Sequence, residues 1–241
     1  MRLPRFSPHA PAVAPVLLAV LLAACTAGSA AKDDSGGSDS SVGDSGSSSA
    51  ACGSYFPAVG AALVYDFPGD TNAADSLVNT FTSYDGSSAT AVMTTASRRT
   101  NQDGSLARQD TTATFNCAAD GVYIDTAHSD YQSTGGANDY SGSSDTTYTP
   151  PMLVYPATVT AGGTWTETST ATTVDTTSGT TTSNLSFSAT VGDQTSLTVP
   201  AGTYDVLPVT QTPTAGNPFH SWLAVGIGAV KTDGTELKSV E

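Results

Sequence analysis

Leu185, Phe187, Ala189 and Val191 alternate with Ser186, Ser188 and Thr190, a period of two that puts every large apolar side chain on one face of an extended segment. The spacing predicts a half-buried antiparallel strand. Ala113, Phe115 and Cys117 repeat the alternation, Ala118-Ala119-Asp120-Gly121 follows as a connection, and Val122 and Ile124 resume it, which predicts a hairpin. Pro200-Ala201-Gly202 predicts another tight turn, between Leu197/Val199 and Tyr204/Val206. Further turns are expected at Asp85-Gly86, Asp103-Gly104, Gly192-Asp193 and Asp233-Gly234, a spacing that suits a meander. After the amino-terminal apolar run no stripe recurs at i, i+3, i+4 and i+7, and the Ser and Thr that saturate 87–115 and 164–198 favour strands over helices. Residues 51–241 therefore read as a single, nearly all-β domain of roughly ten to twelve strands: an antiparallel curved sheet, an open barrel or a sandwich. No amphipathic helix is available to cover the Leu185 row, so closure by other strands is the expectation and an accessible apolar groove its alternative.

The amino terminus carries a different pattern. Arg2 and Arg5 precede an apolar run from Ala10 to Ala24, broken only by Pro11 and Pro15, which is a positive region followed by a hydrophobic region of signal-peptide length. A spanning helix needs roughly 20 apolar residues, so the run is short for a permanent anchor. It ends in Leu22-Ala23-Ala24-Cys25, which resembles a bacterial lipobox and implies that residues 1–24 are removed and Cys25 becomes a lipidated amino terminus. Acyl chains there would hold the domain to a membrane at about 0.8 kcal/mol per buried methylene. Thr26, standing where Asp would redirect a Gram-negative lipoprotein, is compatible with the outer membrane. Residues 25–50 are expected to form a flexible tether. Between 26 and 50 there are 9 Ser, 5 Gly and 4 Asp with Val42 the only large apolar side chain, so nothing offsets the entropy of ordering.

With Cys25 lipidated, Cys52 and Cys117 remain, and an exported compartment lets two thiols persist as a disulfide. Closing about 65 residues, it would contribute roughly 4 kcal/mol in the chain-entropy model. Charge narrows the partners. The chain has 8 basic and 22 acidic residues, and loss of Arg2 and Arg5 with the signal peptide leaves a net charge of −16. A nucleic-acid partner needs a basic footprint and an anionic membrane surface needs clustered Lys and Arg, so neither fits, and membrane association is expected only through the lipid anchor.

Several segments taken in order resemble an uncharacterised family of bacterial lipoprotein domains, the TapB-like type. Tyr55-Phe56-Pro57 with Gly60 and Tyr65 is similar to its opening, and Tyr148-Thr149-Pro150-Pro151, Pro156, Gly162 and Trp165 to its central stretch. Val199-Pro200-Ala201-Gly202-Thr203-Tyr204 looks like its hairpin, and Trp222-Leu223-Ala224, Gly226, Gly228, Val230 and Lys231 like its closing motif. Leu63 stands in place of the opening Trp and Val225 in place of a Pro. The resemblance implies an all-β lipoprotein domain and no established activity. Independently of it, Pro57, Gly60 and Leu63 parallel Pro156, Gly162 and Trp165, as though two half-domains each began with a turn feeding a strand.

Candidate chemistry is sparse. His128 and His220 sit in no metal-ligand spacing, no nucleophile elbow or phosphate-binding loop is present outside the tether, and no cofactor or metal is implied. Glu167 beside Trp165 lacks a second carboxylate and reads as a solvent-facing strand residue, and Arg98-Arg99 as solvated arginines flanking a turn. A Ca²⁺ site from Asp120, Asp125 and Asp130 matches no loop spacing. The candidate binding loop is Ala127–Thr147, where Asp130-Tyr131 and Asp139-Tyr140 stand among Ser, Gly, Asn and Gln, a recognition-like composition. The expectation is a lipid-anchored domain of the cell envelope, serving as a non-enzymatic binding or scaffolding module whose partner is a hydrophobic ligand, such as a lipid or lipoprotein, or an envelope protein. The alternative is an envelope hydrolase acting on sugar or peptide.

Overall fold

The computed structural model describes residues 50–69, 72, 75–83, 89–101, 104–136, 139–224 and 226–241. The expected signal peptide, Cys25, nearly all of the expected tether and the turn expected at Asp85-Gly86 lie outside the described residues. A six-residue helix, α1 (Ala50–Tyr55), precedes thirteen strands. The first six are β1 (Ala62–Asp66), β2 (Ser76–Ser83), β3 (Thr90–Thr100), β4 (Leu106–Cys117), β5 (Gly121–Thr134) and β6 (Tyr140–Pro156). There follow β7 (Thr164–Asp175), β8 (Gly179–Val191), β9 (Thr195–Val199), β10 (Gly202–Pro213), β11 (Phe219–Ala224), β12 (Gly228–Thr232) and β13 (Glu236–Val240). Each strand runs antiparallel to its neighbours, and β13 returns to β1 with Leu63 opposite Val240. The sheet thus closes as a 12-strand barrel. The remaining strand, β9, pairs with the first half of β10, while β8 pairs with its second half.

Closure of the sheet answers the question left by the Leu185 row. Phe187, Ala189 and Val191 are buried inside the ring and Leu185 packs against them, so the row faces other strands and lines no open groove. The predicted hairpins stand between β4 and β5, with Cys117 opposite Val122, and between β9 and β10, with Val199 opposite Gly202. Glu167 departs from expectation. It lies opposite Phe187 on the inward row of β7 and is half-buried instead of solvent-facing.

The barrel has two different ends. At the lower end, where β4 finishes and β5 begins, α1 plugs the ring. Its Cys52 and Tyr55, with Phe56 just after its end, occupy positions i, i+3 and i+4 and are all buried. Cys52 is bonded to Cys117, Tyr55 stacks on Tyr155 at 5.7 Å, and Phe56 meets Phe81 at 4.8 Å and Phe115 at 5.2 Å. The next turn position, Val59, is 47% exposed, which is why the helical stripe is too short to be recognised as a period. Toward the upper end the same inward rows become polar: Phe81, Met93 and Ala113 give way to Asn79, Thr95 and Thr111. These groups stay buried because neighbouring strands hydrogen-bond them, Thr95 Oγ1 to Asn79 Oδ1 at 2.8 Å, Thr111 with Ser129 at 2.8 Å and Thr146 with Thr173 at 2.9 Å.

Two runs of six ring strands, β1–β6 and β7–β13 without β9, open alike. Gly60 and Gly162 both take positive φ, 88° and 75°, which an L side chain rarely adopts. Gly60 N–H donates to Phe81 O and Gly162 N–H to Val191 O, while Ala61 N–H reaches Ala58 O and Gly163 N–H reaches Thr160 O. The parallel read from Gly60 and Gly162 in the sequence is therefore a repeated turn. The seams differ, however. β13 and β1 pair from Leu63/Val240 to Asp66/Glu236, whereas β6 and β7 pair only between Ser144/Asp175 and Thr149/Thr170. Pro150 and Pro151 follow at once and lack the N–H groups a ladder requires. Below them the Glu167 carboxylate accepts the Leu153 N–H and Ser169 Oγ donates to Pro150 O at 2.7 Å.

Candidate functional site

The segment Ala127–Thr147 is not a loop. Ala127–Thr134 belongs to β5 and Tyr140–Thr147 to β6, leaving only a short connection that includes Asp139. Ser, Gly, Asp and Asn have low strand preference, but β4 on one side and β7 on the other supply ladders that override it.

Alternation then sorts the side chains. On β4, Gln109, Thr111 and Ala113 face inward, so Arg108, Asp110 and Thr112 face out. Register places Arg98 opposite Arg108, Asp110 opposite Asp130, and His128 opposite Asp145. Like charges directly opposite repel. Here, lateral partners compensate. Arg108 holds Asp110 through Nε at 2.7 Å and Nη2 at 2.5 Å, and Arg98 Nη1 lies 3.6 Å from the other oxygen of the same carboxylate. His128 Nδ1 lies 2.7 Å from Asp145 and its Nε2 3.5 Å from Asp130. The hydrogen bond to Asp145 holds the imidazole above its ordinary value, with Asp130 adding to the effect. All of these groups are at least one-third exposed, where an ion pair contributes about 0–1 kcal/mol. Their effect is to fix side-chain orientation more than to stabilise the fold.

This charged ridge separates two clefts that share Arg108, Asp110 and Asp130. One, of about 410 Å³, continues over Tyr131, Gln132 and Ser141 to the β7–β8 turn. The other, of about 330 Å³, continues over Thr112, Ala96 and Val78 toward β2, with Arg98 and His128 on its border. The Tyr131 ring is positioned by its neighbours. Its hydroxyl donates to Asp175 Oδ2 at 2.7 Å and lies 2.9 Å from Thr177 Oγ1. A Cβ at Gly142 would come within 2.5 Å of that hydroxyl, so only the bare glycine lets the ring lie across β6. Burial raises the Asp175 carboxyl, but hydrogen bonds from Thr177, Tyr131 and Ser178 outweigh it and hold the group far below the usual carboxylate range.

Of the residues singled out in the sequence, Asp130 and Tyr131 line a cleft, and Tyr140 lies 6.3 Å from Tyr131 ring to ring. Asp139 is exposed in the connecting turn and lines neither cleft. Arg108, Asp110, Gln132 and Ser141 were not singled out. The signal available for them was charged or amide residues recurring at alternate positions, Arg108-x-Asp110 and His128-x-Asp130-x-Gln132, on the polar side of two strands. Arg98 is paired with Asp110, and Arg99 lies 4.3 Å over the Phe67 ring. The other histidine, His220, sits on β11 with Asp233 at 3.1 Å. Asp120 accepts from Tyr123 in the β4–β5 turn, and among the described residues no group of three or more His, Cys, Asp or Glu is arranged to hold a metal ion.

Comparison with family models, curated proteins and solved structures finds no match to this chain. The TapB-like resemblance accordingly stands on its motifs alone.

Proposed function

We propose that this protein is a lipid-anchored, non-enzymatic binding module of the cell envelope, tethered through Cys25, whose ligand surface is the outer face of β3–β6. The carrying observation is the paired clefts over a pre-arranged charged ridge, on a barrel whose interior is occupied by its own side chains and plugged by α1. A buried Leu185 row argues against a lipid held within the sheet and shifts the reading toward a partner at the surface. The hydrolase alternative gains nothing from Glu167, which lines neither cleft.

Two measurements test this. Metabolic labelling with an alkyne fatty acid should mark the wild type and not Cys25→Ala, and equal labelling of both would remove the anchor. A photo-crosslinking residue at Gln132 should capture a partner in intact cells, while the same residue at Lys238 on β13 should not. Capture at neither position, or equally at both, would remove the proposed face.

A further inference from the structure

We infer that the two clefts are adjoining subsites for an uncharged, linear glycan laid across β2–β6, an inference that rests on the outer-face reading above and names its ligand. Charge is the first constraint. The lining balances Arg98 and Arg108, with His128, against Asp110 and Asp130, but Asp145 beside His128, Asp175 beside Tyr131 and the acidic chain around them leave the surroundings negative, which disfavours an anionic ligand. Nucleic acids and phosphorylated or sulfated polymers are disfavoured for the same reason, since they need a surplus of positive charge.

The polar groups are of two kinds. Arg108 and Tyr131 are pinned, one by Asp110 and the other by Asp175 and Thr177. Among the described residues, in contrast, Gln132 and Ser141 have no side-chain hydrogen-bond partner, and Asp130 has the long approach to His128 at 3.5 Å. An amide, a hydroxyl and a carboxylate standing free beside a fixed guanidinium can each donate to or accept from neighbouring hydroxyls of a sugar ring. The second cleft is lined by Val78, Ala96 and a run of threonines, Thr80, Thr94 and Thr112 among them, together with Arg98 and His128. Small apolar and hydroxyl side chains mixed with planar Arg and His groups suit a ring that has C–H groups on its face and hydroxyls at its edge. Tyr131 offers the first cleft a comparable surface.

Other ligands fit less well. An extended peptide gains affinity by adding to a free strand edge, but β3, β4 and β5 are paired along both edges. A fatty acyl chain needs an apolar depth that these open, polar-bordered clefts lack. Volumes of about 410 and 330 Å³ sharing one ridge suit successive residues of a chain. They fall at the small end of known ligand sites, which run from roughly 300 to 1,000 Å³.

The test uses full-length, detergent-purified protein on a printed array of neutral, phosphorylated and carboxylated oligosaccharides, followed by titration with the best neutral oligomer. Binding is expected to neutral chains, stronger for tetrasaccharides than for disaccharides. Gln132→Ala and Asp130→Ala should each weaken it at least fivefold, and Asp233→Asn on β12–β13 should leave it unchanged. Arg108→Met, which removes a pinned wall, should abolish it, with circular dichroism reporting that the fold persists. No binding to neutral glycans, a preference for anionic ones, or binding indifferent to the cleft variants would each overturn the inference. If crosslinking from Gln132 still captures a protein in cells, the ligand class fails while the outer face stands. If crosslinking fails too, both fall.

Discussion

One barrel holds two kinds of interior. On β8 the inward row runs Thr181, Ser183, Leu185, Phe187, Ala189 and Val191, exposed at the upper end and buried at the lower. On β4 and β5 the inward row stays buried throughout but changes from apolar Phe115 and Ile124 to polar Thr111 and Ser129. The lower end is a conventional apolar core, in which each large side chain removed from water stabilises the fold by about 1.5–3 kcal/mol. The upper end gains little from burial and is held instead by hydroxyl rungs and paired ladders, each hydrogen bond contributing about 0.5–1.5 kcal/mol. The stabilising core and the proposed ligand face are thereby separated along the strands. The upper half of the wall can vary its outer side chains, including the proposed ligand face, without disturbing the core that keeps the ring closed.

The largest expected effect breaks this comparison within a single row. Phe187→Asp places an unpaired carboxylate where the side chain is buried, and should cost several kcal/mol and unfold the domain by circular dichroism. Thr181→Asp, six residues up the same face, should cost under about 0.5 kcal/mol because the position is exposed. Equal tolerance of the two changes would show that the row does not run from core to solvent.

Next in size is the covalent difference between the ends. The Cys52–Cys117 bond closes a separation of 65 residues and ties α1 to the lower core. The paired change Cys52→Ser with Cys117→Ser should remove about 4 kcal/mol and lower the melting temperature by roughly 10 °C. Calorimetry checks the size. Alkylation under non-reducing conditions, with two free thiols found by mass in the purified wild type, would overturn the bond itself.

How much of this contrast was legible follows from what period and composition encode. The Leu185 row was visible because one strand commits alternate residues to one face. Which strand lies opposite was not, since ring closure depends on β13 meeting β1, a pairing that no local signal specifies. Cys52, Tyr55 and Phe56 make barely one turn of stripe, too short to mark a helix, and the polar composition of β5–β6 points to a loop where tertiary pairing builds a hairpin instead. Asp130 and Tyr131 could be found from an unusual local composition. Arg108 and Asp110 could not be joined to them, because cross-strand register brings together residues about 20 positions apart.

A smaller effect is expected at the rim of the proposed site. Gly142→Ala brings a Cβ within 2.5 Å of the Tyr131 hydroxyl and 2.9 Å of Thr176 Oγ1. The ring must leave Asp175, at a cost of about 1–3 kcal/mol by denaturant midpoint. Tyr131→Phe removes the hydrogen bond without the clash and should cost about 1 kcal/mol. Combined, the two changes should cost less than their sum, since the hydrogen bond can be lost only once. Strict additivity would mean that Gly142 acts through something other than the ring.

The smallest effects are two pH dependences of opposite sign on the same upper face. Asp175 is held below its ordinary value, so its contribution is fully present above about pH 4, where the unfolded carboxylate is already ionised, and is lost as pH falls through the folded value. His128 is held above its ordinary value, so its contribution is fully present below about pH 6.5 and is lost as pH rises through the folded value. Denaturant midpoints at pH 3, 5 and 8 separate them. Asp175→Asn should flatten the change between pH 3 and 5 and leave that between 5 and 8, whereas His128→Gln should do the reverse. Because His128 and Asp145 are largely exposed, added salt should erase most of the histidine's share. The Asp175 share should resist salt, since it comes from short hydrogen bonds with Thr177, Ser178 and Tyr131 that draw the turn and the ring together. A histidine slope that survives high salt would mean that His128 is held by more than its two carboxylates, and would make it a fixed part of the ligand face instead of a solvated border.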